Sequence, residues 1–318
     1  MIAAVTLNPS LDYTMKAGRL VPGQTNRSRT ETLYPGGKGL NVARVLSRLG
    51  METVCWGFVA GFVGEEILRQ LQKEGLPQEM TRLAAGNSRI NVKLIGETET
   101  EINARGPAVE ETCVRAFCDQ VRFLREGDSL VLSGSLPPMD ETVFWPLLRA
   151  AVSERKIRLI ADMDLSAIQR RLSPCRPFLI KPNRQELESW LGRKDLPEEE
   201  IPAILTRLRE EMADNVLLSL GGSGAFLAAE NGRIYRTGVL SRPIGSTVGA
   251  GDSMVGGFLY GFSLHADPKE AFHWASACGN ATAFSQGIAD KQTIFSVLQE
   301  LPKPEEVLPS FGKEEAVC

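Results

Sequence analysis

Short apolar runs alternate along this chain with segments whose apolar residues recur at helical spacing. In residues 40–49 the apolar positions recur every three residues and stop before Gly50, and those of 67–71 are followed by Gly75, as in helices that end at a glycine. Four short, mainly apolar runs have the length of buried strands, and they occupy residues 129–133, 157–161, 178–180 and 216–220. This alternation predicts an α/β fold with a mostly parallel central sheet flanked by helices.

Two other segments are polar at alternate positions and do not fit a buried parallel sheet. Residues 88–95 alternate apolar with polar side chains, and 98–103 are able to pair with them through a turn at Gly96. We predict that the segments 12–34 and 88–104 form a small β-sheet lid that stands off the main body and closes over a ligand. The alternative is an exposed edge hairpin with no role.

Length and composition indicate one soluble globular unit. Of the 318 residues, 43% are apolar and 24% are charged, which are ordinary proportions. We predict a single domain over residues 1–301, which includes the lid, and a loose tail over residues 302–318, which are rich in Pro and Glu. The formal net charge of -3 argues against nucleic acid as the partner, since domains that bind nucleic acid usually carry a basic excess.

Cysteine spacing and the lengths of the apolar runs indicate the compartment. The six cysteines are scattered and form no CxxC pair, which favours a reducing environment. The first residues lack a basic leader and a long apolar run, so we expect no export signal. Charged residues interrupt every apolar run before it reaches the roughly 20 residues that span a bilayer. We therefore expect a cytoplasmic protein with a small-molecule partner and no membrane contact.

The strongest candidate for chemistry is a glycine-rich turn that leads into an apolar helix, residues 245–258 with the sequence GSTVGAGDSMVGGF. Free N–H groups at a helix start bind anions, and Gly249 and Gly251 let a phosphate approach the backbone. A carboxylate beside such a site is explained if it takes the proton of an attacking hydroxyl, which makes Asp252 a candidate general base. From these residues alone, the alternative that Asp252 only stabilises the helix start stays open.

A second glycine-rich turn precedes a helix at residues 34–44, with the sequence YPGGKGLNVAR. Lys38 is not a P-loop lysine, because Thr32 stands where the first P-loop glycine belongs and Gly39 stands where Ser or Thr binds magnesium. Lys38 and Asn41 are instead suited to binding phosphate and hydroxyl groups. A purely structural strand-to-helix turn is the alternative.

Other common kinds of site do not fit the sequence. The two histidines, His265 and His273, are eight residues apart with no HExxH pattern, which argues against a metalloenzyme of that type. The segment 222–227 lacks the third glycine of a dinucleotide fingerprint, and it also lacks the GxSxG pattern of a hydrolase.

Together, the two glycine-rich motifs resemble the signatures of the PfkB or ribokinase-like carbohydrate kinases. Residues 36–43 are similar to the N-terminal signature of that family and residues 246–253 to the C-terminal one, and the likeness covers nearly the whole chain. Finding both signatures in this order disfavours the structural alternatives. The segments TLNPSLD (6–12), SRINVK (88–93) and TEIN (100–103) are similar to the branch that holds 1-phosphofructokinase and tagatose-6-phosphate kinase.

The resemblance implies a ribokinase-like fold and a Mg2+-requiring, ATP-dependent phosphorylation of a ketose phosphate, foremost fructose 1-phosphate to fructose 1,6-bisphosphate. A tagatose-6-phosphate kinase or a 6-phosphofructokinase is the close alternative. A non-catalytic sugar-phosphate sensor is the alternative from another class, and the intact base and anion hole argue against it. Asp252 would accept the proton of the sugar hydroxyl that attacks the γ-phosphate, and an aspartate with an ordinary pKa near 3.9 is already ionised at neutral pH.

The resemblance also implies roles for individual residues. On the sugar side, Asp12 and Asn41 would hold hydroxyls, and Lys38, Arg89 and Arg27 would hold the phosphate already on the sugar. The implied substrate-binding residues are Asp12, Arg27, Gly36, Gly37, Lys38, Asn41 and Arg89. The implied ATP-binding residues are Lys181, Asn183, Glu186, Ser219, Gly221, Gly222, Gly224, Gly249, Ala250, Gly251 and Asn280.

Metal binding and assembly are implied in the same way. Asn183 and Glu186 form the Asn-x-x-Glu element that places Mg2+, with the carboxylate acting through water. Ser246 stands where many relatives have Asp, so the resemblance does not extend to a monovalent-cation site. A homodimer is also expected, because the open edges of a small sheet need covering.

Overall fold

The strands and helices follow one another in the alternation that the sequence predicts. The computed structural model of the protein describes residues 1–308. The strands, in chain order, are β1 (Ile2–Thr6), β2 (Ser10–Lys16), β3 (Thr30–Gly36), β4 (Thr53–Ala60), β5 (Gln78–Leu83), β6 (Arg89–Ile95), β7 (Glu99–Ile102), β8 (Ser129–Ser133), β9 (Arg158–Asp162), β10 (Leu179–Ile180), β11 (Asn215–Ser219), β12 (Ala225–Ala228), β13 (Ile234–Thr237) and β14 (Glu305–Val307). The α-helices are α1 (Lys38–Leu49), α2 (Gly61–Lys73), α3 (Glu111–Val121), α4 (Glu141–Arg155), α5 (Leu165–Leu172), α6 (Arg184–Leu191), α7 (Ile201–Met212), α8 (Ala250–His265), α9 (Pro268–Ala283) and α10 (Lys291–Glu300).

The strands of residues 1–308 form two sheets. The larger has the order β14-β13-β12-β11-β10-β9-β8-β1-β4-β5, and every neighbouring pair from β11 to β5 is parallel. The smaller has the order β3-β2-β6-β7 and comes from the two segments predicted to form a lid. The predicted fold class is therefore confirmed. The four predicted buried strands are β8, β9, β10 and β11, each within one residue of its predicted ends.

Helices cover both faces of the large sheet, because alternate side chains of its central strands point to opposite sides. Val5 of β1 packs in a cluster with Phe117 of α3 and Phe144 of α4, whereas Ile2 of the same strand packs in a cluster with Phe258 of α8. Parallel strands that are buried on both faces leave a ligand crevice at their carboxyl ends. The starts of α1 and α8 meet at this end of the sheet.

A close contact between α1 and α8 places the two predicted motifs side by side. A Cβ atom on Gly256 would lie 2.9 Å from the Val45 side chain, so only glycine lets the helices approach this closely. Gly249, which precedes α8, has φ 80 in the left-handed region and turns the chain into the helix. One turn before the contact, Asn41 of α1 and Asp252 of α8 face each other.

The end of the domain differs from the prediction. A loose tail from residue 302 is wrong for Glu305–Val307, because this segment forms β14 and pairs antiparallel with β13. The remaining predicted tail, residues 309–318, lies outside the described residues. Within the described part of the chain, none of the helices is both long enough and apolar enough to cross a membrane.

Candidate active site

Asp252 lies in the first turn of α8, where the helix meets the crevice. Its side chain is buried, and its Oδ2 accepts a hydrogen bond from Asn41 Nδ2 at 2.7 Å. The first turn of a helix carries N–H groups without intrahelical acceptors, and Gly249 and Gly251 stand at this helix start, which fits the predicted anion hole. The carboxylate therefore lies at the helix start that is the candidate anion site.

Burial, and after it the nearby carboxylate of Asp162, raise the pKa of Asp252 to about 6. The hydrogen bond from Asn41 and the ammonium groups of Lys181 and Lys38 act in the opposite direction. The expectation of an ordinary aspartate pKa is wrong, because the fold removes this carboxylate from water. Asp252 remains ionised at neutral pH, with a pKa closer to the operating pH, which suits a general base.

Two lysines meet at one buried carboxylate next to Asp252. Asp162 Oδ1 lies 3.1 Å from Lys38 Nζ and 3.5 Å from Lys181 Nζ. Burial opposes the charge of Lys38, but the carboxylates of Asp162, Asp252 and Glu186 outweigh it and hold the pKa of Lys38 above its usual value. The ammonium group of Lys38 therefore stays charged beside the reacting centre.

The position of Lys181 connects this cluster to the anion hole. A Cβ atom on Gly251 would lie 3.2 Å from Lys181 Nζ, so the ammonium is directly against the backbone at the start of α8. The second oxygen of Asp162, Oδ2, is buried and has no hydrogen-bond partner among residues 1–308. The site thus combines two ammonium groups with a helix N-terminus, an arrangement that stabilises charge on a phosphoryl group in transfer.

A cleft of about 670 Å³ opens next to Gly251 and contains most of the predicted ATP-binding residues. The predicted residues that line it are Asn183, Ser219, Gly221, Gly222, Gly224, Ala250, Gly251 and Asn280. Asn280 also braces the wall of the cleft, because its Oδ1 accepts from the Leu240 N–H at 3.0 Å and its Nδ2 donates to the Ser276 carbonyl at 2.8 Å. Its amide therefore shapes the cleft as well as lining it.

The lid contributes a second polar group of side chains. Asp12 Oδ1 accepts from Ser10 Oγ at 2.6 Å and from Asn91 Nδ2 at 3.1 Å. The carboxylate of Asp12 lies against Gly36, where a Cβ atom would be 2.4 Å from Asp12 Oδ2, so this motif glycine makes room for it. The lid face that carries Asp12 is polar and preorganised, as a hydroxyl-binding surface requires.

Arg89 begins β6 next to this group. Its Nε and Nη2 both donate to the Asn8 carbonyl, at 2.9 and 2.6 Å. Burial lowers the pKa of Arg89, and the carboxylate of Asp12 opposes that shift, which places the guanidinium in the electrostatic range of Asp12. The guanidinium of Arg89 and the carboxylate of Asp12 thus lie at neighbouring positions on the lid.

Comparison with known proteins decides the family. The model of the pfkB family carbohydrate kinases matches residues 5–293. The chain belongs to this family. It is 38% identical to the 1-phosphofructokinase of Bacillus subtilis, over 95% of this chain and 98% of that protein. It is 34% identical to the D-tagatose-1-phosphate kinase of Bacillus licheniformis, over 91% of this chain and 95% of that protein.

Solved structures of the pfkB family share the fold. Phosphofructokinase-2 from Escherichia coli in complex with substrates and products superimposes with a TM-score of 0.87 at 27% identity, covering 95% of this chain and 99% of that one. A phosphofructokinase structure from Staphylococcus aureus superimposes with a TM-score of 0.82 at 29% identity, covering 96% and 99% of the two chains.

Arg27 and the pair Asn183 and Glu186 are further predicted site residues of this pfkB kinase. Arg27 lies exposed in the connection between β2 and β3, and no contact joins it to Arg89 or Asp12 within the described chain. Asn183 and Glu186 form a capping box on α6: Asn183 Oδ1 accepts from the Glu186 N–H and Glu186 Oε2 accepts from the Asn183 N–H, both at 2.9 Å. Their first role is therefore to fix the start of α6 at the edge of the cleft.

Sequence reasoning missed three buried polar residues of this pfkB site. Asp162 pairs with both lysines, Asn91 orients Asp12, and Arg44 contacts Asn41. Asp162 carried a readable signal, since it ends an apolar strand at the edge where parallel strands present their ligands. Asn91 and Arg44 lie inside recognised motifs, but their spacing did not reveal which neighbours they would contact.

Proposed function

We propose that this protein phosphorylates a ketose phosphate with ATP, and that fructose 1-phosphate is its substrate. The observation that carries the proposal is the position of Asp252, a buried carboxylate in the first turn of α8, where a helix start favours an anion. The likeness to proteins named 1-phosphofructokinase supports the choice of sugar. D-tagatose 1-phosphate is the second candidate, because a relative 34% identical carries that name.

In the proposed reaction, Asp252 accepts the proton of the C6 hydroxyl as that oxygen attacks the γ-phosphate in line. The N–H groups around residues 249–251 and the ammonium groups of Lys181 and Lys38 stabilise charge on the transferring group. This reassigns Lys38, which the sequence placed on the sugar phosphate, because its ion-pair partner is Asp162 at the reacting centre. Arg89 remains the proposed ligand of the sugar phosphate, and Asp12 of a sugar hydroxyl.

The residues at the cleft fit a magnesium nucleotide. Asn183 and Glu186 lie together at the start of α6, and Glu186 uses one carboxylate oxygen for the helix cap. The described residues contain no cluster of three or more His, Cys, Asp or Glu that could hold a metal. Magnesium usually needs no such cage, since it binds through one or two carboxylates, water and substrate phosphates. Bound there, Mg2+ would neutralise phosphate charge, and Glu186 is the residue proposed to hold it through water.

The assignment of substrate is tested by ATP consumption with a panel of sugars. The panel contains fructose 1-phosphate, tagatose 1-phosphate, fructose 6-phosphate, tagatose 6-phosphate and the unphosphorylated ketoses. We expect the highest kcat/KM with fructose 1-phosphate. Activity restricted to unphosphorylated sugars would contradict the proposed substrate class.

The rate should depend on pH through Asp252. Because the base acts only when ionised and its pKa is raised to about 6, kcat/KM should fall about tenfold for each pH unit below 6. The measurement is the initial rate with fructose 1-phosphate at constant ionic strength. A rate that stays constant down to roughly pH 4, the ordinary value for an aspartate, would contradict the raised pKa.

We also propose that the protein is a homodimer joined through its lids. Side chains alternate across the lid, so the face opposite Asp12 carries apolar residues. Three of them are well exposed: Leu33 at 42%, Ile90 at 38% and Ile102 at 60%. An apolar sheet face of this kind on a soluble protein is usually covered by a partner.

The five described cysteines are free thiols, which supports the proposed cytoplasmic location.

A charge on this face should separate the subunits. We expect Ile90→Glu to be a monomer in light scattering at micromolar concentration, because the interface would bury an unpaired carboxylate. Phe123→Glu is the matched control, since Phe123 is 81% exposed outside the lid and its substitution should leave the dimer intact. A wild-type monomer, or an Ile90→Glu dimer, would contradict the lid interface.

A further inference from the structure

Arg44 is a buried arginine behind the candidate base that has no role in the reaction proposed above. It lies on α1 one turn after Asn41 and is 9% exposed. Its Nε and Nη2 donate to the two carboxylate oxygens of Glu74 at 2.6 and 3.0 Å, and Nη2 also donates to the Pro35 carbonyl at 2.9 Å. Its Nη1 donates to Asn41 Oδ1 at 3.0 Å. All three nitrogens are therefore used, and the guanidinium plane is fixed from three sides.

This contact decides which way the Asn41 amide points. A guanidinium only donates hydrogen bonds, so the Asn41 atom next to it has to be the carbonyl oxygen. The NH2 group then points in the opposite direction, where Asp252 Oδ2 accepts it at 2.7 Å. If the amide rotated, its oxygen would face the Asp252 carboxylate, and that arrangement is favourable only when Asp252 is protonated.

We propose that Arg44 is a positioning residue that acts through Asn41: it orients the amide so that its NH2 group holds the ionised Asp252 carboxylate. This rests on the proposed role of Asp252 as the base. Glu74 fixes the orientation of Arg44, because two hydrogen bonds to one carboxylate hold a guanidinium more firmly than a single bond does. The relay Glu74–Arg44–Asn41–Asp252 thus connects the end of α2 to the reacting group.

The other charges around Asp252 belong to Asp162, Lys181 and Lys38, and within residues 1–308 no hydrogen bond or ion pair joins them to Arg44. Asp162 at the end of β9 raises the pKa of Asp252, whereas Lys181 after β10 and Lys38 at the start of α1 lower it. Around Arg44 itself, the charged neighbours are Glu74 and Arg48. Removing Arg44 should therefore change the amide orientation while the lysines and Asp162 stay in place.

The first test compares Arg44→Met with Arg48→Met. Both remove an arginine from α1, but Arg48 lies one turn further along and donates to the carbonyls of Ile288 and Ala289. We expect Arg44→Met to lower kcat on the order of tenfold to a hundredfold, since misplacing a reacting group by a small distance has effects of that size. The acid limb of its kcat profile should move up by roughly one pH unit, because Asp252 loses its hydrogen-bond donor. Arg48→Met should change neither kcat nor the pH of the acid limb. Superimposable pH profiles of the two variants would overturn the proposal.

The second test asks whether the effect passes through Asn41. In an Asn41→Ala background the amide is absent, so Arg44→Met should lower kcat by no more than about twofold. Losses that multiply in the double variant would show that Arg44 acts by another route, which also overturns the proposal. If Arg44→Met does not fold, Arg44→Lys replaces it, because a lysine keeps the ion pair with Glu74 and releases Asn41.

These outcomes are separable from failure of the proposed function. Wild-type turnover of a ketose phosphate and its loss in an Asp252→Asn variant test the base. With both of those results in hand, an unchanged Arg44→Met profile rejects the relay alone.

Discussion

Asp252→Asn is expected to bind both substrates normally and to lose turnover by a factor on the order of 10² to 10⁴, the usual contribution of a general base. The replacement has the same shape, and its amide oxygen is able to accept the hydrogen bond that Asn41 donates to Asp252 at 2.7 Å. It has no basic group, so the sugar hydroxyl keeps its proton. Calorimetric titration with the nucleotide and the sugar phosphate, together with steady-state rates, measures both halves of the prediction. Near-normal turnover would reject Asp252 as the base.

The same variant should be more stable than the wild type at neutral pH. Burial and the Asp162 carboxylate raise the pKa of Asp252 in the folded state to about 6, above its ordinary value of 3.8, so folding favours its protonated form. That stabilisation is present below pH 3.8 and is lost as the pH rises through 6. The Tm of Asp252→Asn should therefore exceed that of the wild type at pH 7, and the difference should shrink as the pH falls towards 4. A lower Tm at pH 7 would contradict the raised pKa of Asp252.

Asp162→Asn should damage both stability and catalysis. Asp162 is fully buried and pairs with Lys181, which is 5% exposed, and with Lys38. Removing one partner of a buried ion pair costs about 3 kcal/mol or more, because the remaining charge is left without compensation. The two ammonium groups would also lose their anchor, and we expect kcat to fall on the order of a hundredfold. Urea unfolding and steady-state rates measure these effects.

The pH profile of Asp162→Asn should be shifted, and a variant that is only less stable would not show this shift. The carboxylate of Asp162 raises the pKa of Asp252, so its removal should move the acid limb of the remaining activity below pH 6. Asp164→Asn is the matched control, because Asp164 caps α5 through the Ala167 N–H and asparagine caps a helix equally well. An acid limb that stays at pH 6, with a stability equal to that of Asp164→Asn, would contradict the prediction.

Much of the fold follows from local pattern. Short, mainly apolar runs predict β8, β9, β10 and β11 within one residue, because a strand covered by helices on both faces has few polar positions. Alternating polarity in residues 88–95 predicts strand β6 of the lid, since side chains alternate between the two faces of a strand. The short strand Glu305–Val307 escaped prediction, because three residues with two glutamates carry no strand signal, and only the free edge of β13 gives them a partner.

The candidate site also has features that the sequence predicts and features that it does not. The glycine-rich turns before α1 and α8 are local in sequence, so the anion hole and the candidate base Asp252 are readable from their own motifs. The sequence by itself also determined the family, through two signatures about 210 residues apart. Only the tertiary structure decided that Asp162 lies between Lys38 and Lys181, that Arg44 sets the Asn41 amide, and that Asp252 has a raised pKa. These properties arise because folding buries side chains from distant segments next to one another and away from water. The spacing of residues along the chain does not specify which of them become neighbours.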